Sequence, residues 1–255
     1  MKLRVLGCGG GIGGSFVHTT ALLVDHDILI DAGTGLTTLT LAEMAQIEHV
    51  FITHSHLDHL AALPLMIDSV ADVRDRPVTV YATDETLETI RNHIFNWAVW
   101  PDFSEIAIRK EAVMQYQSIR LGEPWRFGER TITALPAEHT VPAVGYHLDS
   151  GQASLVFTGD TTVNDAFWPL VNRIANLKHL IIETAFSNRE RQLAITSKHL
   201  CPSLLAEELA RLERQVRVYI THLKPGQVEL IMSEVVRCAA HFNPEMLQSN
   251  QVIEF

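Results

Sequence analysis

The sequence predicts an α/β (α+β) fold that is built from layers of strands and helices. Short apolar and β-branched runs, which predict buried strands, alternate along the chain with segments whose apolar residues recur at helical spacing. A length of 255 residues lies within the range of large layered folds, and a hydrophobic content of 47% is ample for a substantial core. No linker, repeat or low-complexity tract interrupts the alternation, so we predict a single domain over residues 1–255.

The apolar runs assign the elements in chain order. Strands are predicted at 21–24 and 28–30, which pair as a hairpin, and at 50–53, 78–82, 131–135, 143–148, 153–157, 180–182 and 217–220. Helices are predicted at 36–45, 60–73, 85–96, 163–175, 202–213 and 228–238.

A dense cluster of metal-ligand side chains follows the apolar run at 50–52: His54, His56, Asp58 and His59. Side chains two apart in extended backbone point the same way, so His54 and His56 can hold one ion. Asp58 and His59 lie where the chain turns into a helix and can hold a second ion. Imidazole and carboxylate groups form a ligand set for zinc, iron or manganese. The alternative, histidines that only cap a helix, does not require so dense a cluster.

Composition excludes several classes of protein. A formal net charge of −10 disfavours a large nucleic-acid interface, which needs a basic face. No apolar segment approaches the length of a membrane helix, and the first six residues run into glycines without an export signal. Three widely spaced cysteines fit neither a disulfide framework nor a cysteine zinc site, and they indicate a reducing compartment. We therefore expect a cytoplasmic protein without a membrane partner.

The glycine-rich stretch at 9–14 (GGGIGG) matches the dinucleotide-binding pattern by letter. That motif requires a strand before it and a helix directly after it, whereas an apolar, β-branched run at 19–24 follows here. We interpret the stretch as a turn between early strands. It can also lie near the metal cluster, because glycine permits close backbone approach.

Three further ligand-type residues follow predicted strands: His139, Asp160 and His222. Each alone is equally well explained as a solvated loop residue. Together they repeat one pattern, an apolar strand that ends in a metal-ligand residue, and such strand ends can converge on one edge of a sheet. They would complete two coordination spheres.

These residues carry a resemblance to the metallo-β-lactamase superfamily, which runs from Gly7 to Lys224. The resemblance implies a four-layered αβ/βα sandwich with the site at one edge of two facing sheets. It also implies that one metal takes His54, His56 and His139. The other metal takes Asp58, His59 and His222, and Asp160 bridges the two. Two divalent ions are thus the expected cofactors, with zinc first and manganese or iron as alternatives.

Four more selective stretches resemble the class II cyclic-nucleotide phosphodiesterases: 30–36, 93–103, 183–188 and 197–202. Lys198 stands where that family more commonly has glycine, which bears on the local pocket and on substrate preference. The tRNA 3′-processing endonucleases share the ligands and positions that match Glu183 and His199. They typically carry a basic arm for the tRNA elbow, and the short stretch between Tyr146 and Gly159 contains no such insert.

The resemblance implies hydrolysis of a 3′,5′-cyclic nucleotide, with cyclic AMP expected first, to the 5′-nucleotide by hydroxide held between the two metals. Asp58 would bind metal and orient the nucleophile. His199 would protonate the departing 3′ oxygen, and Glu183 would hold its other ring nitrogen. A strand-end carboxylate and a helix-capping histidine are the structural alternatives for Glu183 and His199.

The substrate-binding residues are less defined. Lys198 can pair with a phosphate oxygen, although an exposed lysine is more often only solvated. Asn96 and Trp97 lie in an aromatic-rich stretch, which is either core or the wall of a base-stacking pocket.

Two alternative functions remain open at this point. One is an RNA 3′-end endonuclease, or another phosphodiesterase of the same fold. The other is a non-catalytic protein whose metal pair binds a small ligand or senses oxygen. The expected partner is a small-molecule cyclic nucleotide, with a homodimer implied by the resemblance and nucleic acid disfavoured.

Overall fold

The computed structural model describes residues 1–13, 17–108 and 111–255 of the chain. Gly14, the last residue of the glycine-rich stretch, lies outside the described residues.

Two seven-stranded mixed sheets form the centre of the molecule. The first sheet contains β1 (Lys2–Gly7), β2 (Ala21–Val24), β3 (Ile28–Ile30), β4 (His49–Phe51), β5 (Val78–Ala82), β8 (Met114–Ser118) and β16 (Val252–Glu254), in the order β16-β1-β2-β3-β4-β5-β8. The second contains β9 (Pro124–Phe127), β10 (Arg130–Pro136), β11 (Val144–Asp149), β12 (Ser154–Phe157), β13 (Leu177–Glu183), β14 (Arg217–Thr221) and β15 (Glu245–Met246), in the order β15-β14-β13-β12-β11-β10-β9. A small ribbon pairs β6 (Ala107–Ile108) with β7 (Glu111–Ala112).

Helices cover the outer face of each sheet. Against the first sheet lie α1 (Leu41–Met44), α2 (Leu57–Leu60), α3 (Leu63–Val70) and α4 (Asp84–His93). Against the second lie α5 (Trp168–Val171), α6 (Arg191–Thr196), α7 (Pro202–Leu209) and α8 (Val228–Cys238).

The order of layers is therefore helices, sheet, sheet, helices, as the family resemblance implies, and three apolar cores separate them. Leu29 and Val50 face the core under α3, while Ile28 and Phe51 face the core between the sheets. Because the strands are covered on both faces, they read as continuous apolar runs instead of alternating polar and apolar residues.

Strand direction concentrates polar residues at one edge of the sandwich. In the first sheet β3, β4, β5 and β8 are parallel, and in the second β12, β13 and β14 are parallel. Strand β10 runs in the same direction as β12, because both pair antiparallel to β11. The carboxyl ends of β3, β4, β10, β12, β13 and β14 consequently meet at the same edge.

The predicted hairpin at 21–24 and 28–30 is confirmed in both its bounds and its pairing. The bounds of the strand at 78–82 and of the helix at 228–238 are also confirmed. The helix predicted at 36–45 is wrong: a 3₁₀ turn (Thr34–Thr38) precedes α1, because the Thr40 side chain caps a new helix together with Glu43. The helix predicted at 60–73 is two short helices, α2 and α3.

The helix predicted at 163–175 is reduced to the four residues of α5. The side-chain oxygen of Asn164 accepts a hydrogen bond from the backbone N–H of Ala166, an alternative to helical pairing at that point. Several strands, among them β1, β8 and β9, and the helix α6 are not among the predicted elements.

A bidentate ion pair joins the two sheets at the end remote from the polar edge. The Arg130 guanidinium, at the start of β10, donates to both Asp27 carboxylate oxygens at 2.6 and 2.7 Å and to Asp25 at 3.0 Å. Both carboxylates belong to the turn of the β2–β3 hairpin. Burial by itself would raise the pKa of Asp27, but the hydrogen bonds and charge of Arg130 lower it below its ordinary value.

We predict that Arg130→Met lowers the free energy of unfolding by about 1 kcal/mol at neutral pH, because a bidentate, half-buried pair lies at the upper end of surface ion pairs. A carboxylate whose folded pKa is lowered stabilises the fold above its unfolded pKa and loses that contribution as pH falls through the folded pKa. The difference between variant and wild type, measured by denaturant unfolding, should therefore shrink below about pH 4. Arg126→Met, at an exposed position on β9, is the control. A difference that persists undiminished in acid would contradict this account.

Candidate metal centre and catalytic site

The structure brings the imidazoles of His54, His56 and His139 together at the polar edge, where their ligand atoms lie within 4.8 Å of one another. His54 and His56 follow β4, and His139 follows β10 of the other sheet. Nδ1 of His56 and Nε2 of His139 approach to 3.1 Å. The first group of three predicted ligands is thus assembled from both sheets.

A second group contains Asp58, His59, Asp160 and His222, again with ligand atoms within 4.8 Å. Asp58 and His59 lie in α2, directly at the start of the helical segment. The Oδ2 atom of Asp160 is 3.4 Å from Nε2 of His59 and 3.8 Å from Nε2 of His54. Asp160 therefore lies between the two groups.

A buried hydrogen-bond network fixes the imidazoles of His54 and His59 beside Asp160. Nδ1 of His59 donates to Asp31 at 2.7 Å. Thr53 donates its hydroxyl to Asp31 at 2.9 Å and lies 2.9 Å from Nδ1 of His54. With the hydroxyl proton committed to Asp31, the His54 N–H donates to Thr53. In the neutral form of each ring, Nε2 then carries the free lone pair.

Asp31 was not recognised as a site residue in the sequence analysis, although it follows the apolar run of β3 in the same way as the predicted ligands follow theirs. Its side chain is fully buried, and its backbone is left-handed (φ 58°). A non-glycine residue held in that region marks a local constraint.

The chemistry of these side chains fits metal binding. Nε2 of His54 and Nε2 of His59 are buried and find no hydrogen-bond partner among the described residues. A buried polar atom left without a partner costs about 1–3 kcal/mol, so these two nitrogens call for a ligand that accepts their lone pairs. A divalent cation does this, and the N- and O-donor set suits zinc, iron or manganese.

Burial controls the protonation of most of the cluster. It lowers the pKa of His139 to about 4 and that of His222 to about 3, and it lowers the pKa of His54 well below the ordinary value. These imidazoles are neutral at pH 7, the form that binds metal. Burial would also lower the pKa of His59, but Asp160 and Asp31 raise it, so a metal bound there would displace a proton.

The glycine-rich turn supports His222. A Cβ atom at Gly10 would lie 2.3 Å from the His222 carbonyl oxygen, so only glycine allows this approach. The backbone of Cys8 accepts from the His222 N–H at 2.8 Å, and Lys224 donates its ammonium to the Gly10 carbonyl. In its described part, the turn therefore lies beside the cluster, as the sequence analysis allows.

A histidine–carboxylate pair adjoins the cluster. Nδ1 of His199 lies 2.8 Å from Oε1 of the fully buried Glu183, which is the last residue of β13. Glu183 also accepts backbone N–H groups from Thr161, Ala185 and Leu200 at 3.1–3.3 Å. A ring nitrogen of His199 also lies within 4.8 Å of ligand atoms of His139 and Asp160.

The pKa of His199 depends on that carboxylate. Burial alone would lower it, but the charge and hydrogen bond of Glu183 raise it above the ordinary value. The arrangement can therefore hold a proton on His199 and direct it towards the cluster.

Lys198 lies at the rim and acts through its backbone as well as its side chain. Its carbonyl accepts from Nδ1 of His139 at 3.0 Å, which leaves Nε2 of His139 free for a metal. Lys198 is left-handed (φ 53°), and its ammonium pairs with Glu138.

The other two predicted substrate-binding residues have local roles. The Asn96 side-chain oxygen accepts the N–H groups of Ala98 and Val99, and Trp97 is 61% exposed with its indole N–H donated to Glu105. Among the described residues, neither makes a hydrogen bond, ion pair or ring contact with the cluster. The aromatic stretch supplies mainly core, through Phe95 and Phe103.

A cavity of about 640 Å³ opens beside His139. Its walls come from Thr83 and the first turn of α4, from residues 119–121 after β8, and from residues 137–144 between β10 and the start of β11.

No helix among the described residues is long and apolar enough to span a membrane.

The chain belongs to the beta-lactamase superfamily domain family, whose model matches residues 26–223. A "Probable 3′,5′-cyclic-nucleotide phosphodiesterase" of Yersinia pestis is 29% identical over 223 residues, which cover 74% of this chain and 62% of the relative. A "Ribonuclease Z" of Thermococcus sibiricus is 34% identical over 155 residues, covering 57% of this chain and 47% of the relative. The match thus spans less than two thirds of either relative's length.

Among solved structures, unliganded yeast PDE1 superposes with a TM-score of 0.83 at 16% sequence identity and covers 100% of this chain and 99% of its own. At that identity the likeness establishes the fold, the metallo-β-lactamase sandwich, and agrees with the layer order described above.

We predict that Asp31→Asn weakens metal binding by about 10- to 100-fold, because it removes the charge that orients His59 and, through Thr53, His54. Metal affinity is measured by competition with a chromophoric chelator, with folding followed by circular dichroism. The matched control is Asp68→Asn on the exposed face of α3. An affinity equal to that of wild type in a folded Asp31→Asn protein would show that the network does not support metal binding.

Proposed function

We propose that the protein is a metal-dependent phosphodiesterase that hydrolyses 3′,5′-cyclic nucleotides, cyclic AMP first among them, to 5′-nucleotides. The observation that carries the proposal is the His199–Glu183 pair beside two adjoining groups of metal-ligand side chains, a set that combines charge neutralisation with proton donation. The substrate class comes from the Yersinia relative, whose name includes cyclic-nucleotide phosphodiesterase.

Two divalent ions, zinc being expected first, would be held by the seven predicted ligands. His54, His56 and His139 would form one site, Asp58, His59 and His222 would form the other, and Asp160 lies within reach of both. Bound there, the ions would lower the pKa of a coordinated water towards about 7 and offset charge on the phosphate oxygens. Asp58, with a partly exposed side chain, can also accept a hydrogen bond from the nucleophile and orient it.

His199 would donate the proton that the departing 3′ oxygen requires. Its Nδ1–H is committed to Glu183, so protonation places the transferable proton on Nε2, on the side of His139 and Asp160. Glu183 keeps the ring in that orientation and stabilises its charged form. Such general-acid assistance is typically worth about 10²–10⁴-fold in rate.

An RNA 3′-end endonuclease is a second candidate, favoured by the 34% identity to the Thermococcus ribonuclease Z. Two features weigh against it: the net charge of −10, and the four-residue connection between β11 and β12, which leaves no room for a basic arm. Cytoplasmic location, homodimer formation and the single domain stay predictions. The free thiols of the three cysteines agree with the reducing compartment on which the predicted location rests.

We predict that His199→Ala lowers kcat for cyclic AMP by about 10²–10⁴-fold without changing metal content, because it removes the proton donor while the seven ligands remain. Turnover and elemental analysis are measured on the same preparation. His93→Ala, on the exposed end of α4, is the control. An unchanged rate would remove His199 as donor, and a loss of metal would assign it as a ligand.

We predict that a chelator abolishes turnover and lowers the melting temperature, since an ion that binds only the folded state stabilises it. Re-addition of zinc or manganese should restore both quantities. The same restored protein should hydrolyse cyclic AMP and leave a precursor tRNA uncut. Faster cleavage of the precursor tRNA would favour the second candidate, and full turnover in metal-free protein would contradict both.

A further inference from the structure

The cavity beside His139 joins directly onto the metal-ligand cluster. Its wall includes His139 and the neighbouring Glu138, whose carboxylate pairs with the Lys198 ammonium at the rim. The Lys198 carbonyl in turn holds the His139 ring. A phosphate bound at the cluster would therefore have this cavity as the adjoining space for the group attached to it.

The cavity is built from fixed elements. The Thr83 hydroxyl caps α4, and the Thr86 hydroxyl, one turn into that helix, contacts the Pro142 carbonyl of the opposite wall at 3.5 Å. The volume of about 640 Å³ lies in the range of pockets that hold small organic ligands, roughly 300–1,000 Å³.

The chemistry of the walls favours a neutral ligand with hydrogen-bonding groups. Ile119, Leu121 and Val141 supply apolar surface on which a flat ring can lie. The charged lining residues are three carboxylates, those of Asp84, Glu85 and Glu138, against the single guanidinium of Arg120.

Several of these polar side chains have no partner in the part of the chain that the structure describes. Among the described residues, those of Asp84, Glu85, Arg120 and Thr140 make no hydrogen bond or ion pair. They are available to the amino and ring nitrogens of a base and to the hydroxyls of a ribose. The excess of carboxylates opposes a second phosphate in the same space.

We propose that this cavity is the nucleoside subsite, which holds the base and sugar of a substrate with a single phosphodiester. The assignment rests on the proposed phosphodiesterase function and refines it: the enzyme would select a mononucleotide diester over a polyanionic strand. The base and ribose lie against Leu121 and the first turn of α4, while the phosphate remains with the cluster.

The test narrows the cavity with Leu121→Trp combined with Glu85→Trp, two exposed positions on different segments of its lining. The matched control is Leu41→Trp combined with Glu88→Trp, which places the same residue types on α1 and on α4 outside the cavity. Two substrates are compared: cyclic AMP, and methyl p-nitrophenyl phosphate, a diester without a nucleoside.

We expect the narrowed variant to raise KM for cyclic AMP by about tenfold or more, as lost pocket contacts do. Its kcat/KM for methyl p-nitrophenyl phosphate should stay within about twofold of wild type, as should both substrates in the control. This split separates loss of the subsite from damage to the metal centre or the fold.

An unchanged KM for cyclic AMP in the narrowed variant overturns the subsite while leaving the phosphodiesterase proposal intact. Parallel loss of both substrates also overturns it, because the cavity then serves the reacting centre and not the nucleoside. A wild-type protein that cleaves methyl p-nitrophenyl phosphate but no cyclic nucleotide refutes the proposed function itself, and the subsite with it.

Discussion

The buried carboxylate of Asp31 is the constraint on which the arrangement of the site depends. It lies at the end of β3, accepts hydrogen bonds from His59 and Thr53, and through Thr53 determines which nitrogen of His54 is free. A buried carboxylate without such donors would be strongly unfavourable, so the donors are held as firmly as the acceptor. The two imidazoles consequently present their Nε2 atoms to Asp160 from fixed positions.

On the other side of the cluster, imidazoles are likewise oriented by hydrogen bonds, to a backbone carbonyl in one case and to a carboxylate in the other. The Lys198 carbonyl fixes His139, and Glu183 fixes His199 while three backbone N–H groups satisfy Glu183. A hydrogen bond to the ring's Nδ1 atom thus orients four imidazoles, those of His54, His59, His139 and His199. Orientation of this kind tunes the basicity of a metal ligand and keeps a proton donor in register with its target.

These partners come from different strands of two sheets, which explains why the site needs the whole sandwich. Parallel neighbours bring the ends of β3 and β4 together, and the facing sheet brings β10, β12, β13 and β14 to the same edge. The apolar core between the sheets, with Phe51 against Tyr146, fixes the distance between the two halves. A change in the spacing of the sheets would separate His54 and His59 from His139 and His222.

Sequence patterns predicted the layered fold and the dense cluster after β4, because continuous apolar runs and clustered ligand types are local signals. The pattern of a strand ending in a ligand-type residue also identified His139, Asp160 and His222, which the structure brings to that cluster. Applied to β3 it would have identified Asp31, whose role depends on contacts with residues 22 and 28 positions away. Glu183 and His199 were identified only through the family resemblance, although Glu183 also follows an apolar strand.

Other features lay beyond sequence reasoning. The contact from the Lys198 carbonyl to His139 depends on a left-handed backbone that composition does not reveal. The helix predicted at 163–175 was wrong because the prediction rested on apolar spacing. That spacing gives no sign of the side-chain hydrogen bond of Asn164, which competes with helical pairing. The cavity beside His139 is formed by three segments distant in sequence, so no single stretch predicts it.

The central claim is that seven side chains from two sheets hold a pair of divalent ions. Its most direct test is anomalous diffraction from crystals of the metal-loaded protein, measured at the X-ray absorption edge of the bound metal. The account predicts two peaks per chain, one among His54, His56 and His139 and one among Asp58, His59 and His222, with Asp160 in contact with both. A single peak elsewhere, or no peak within this cluster, would contradict it.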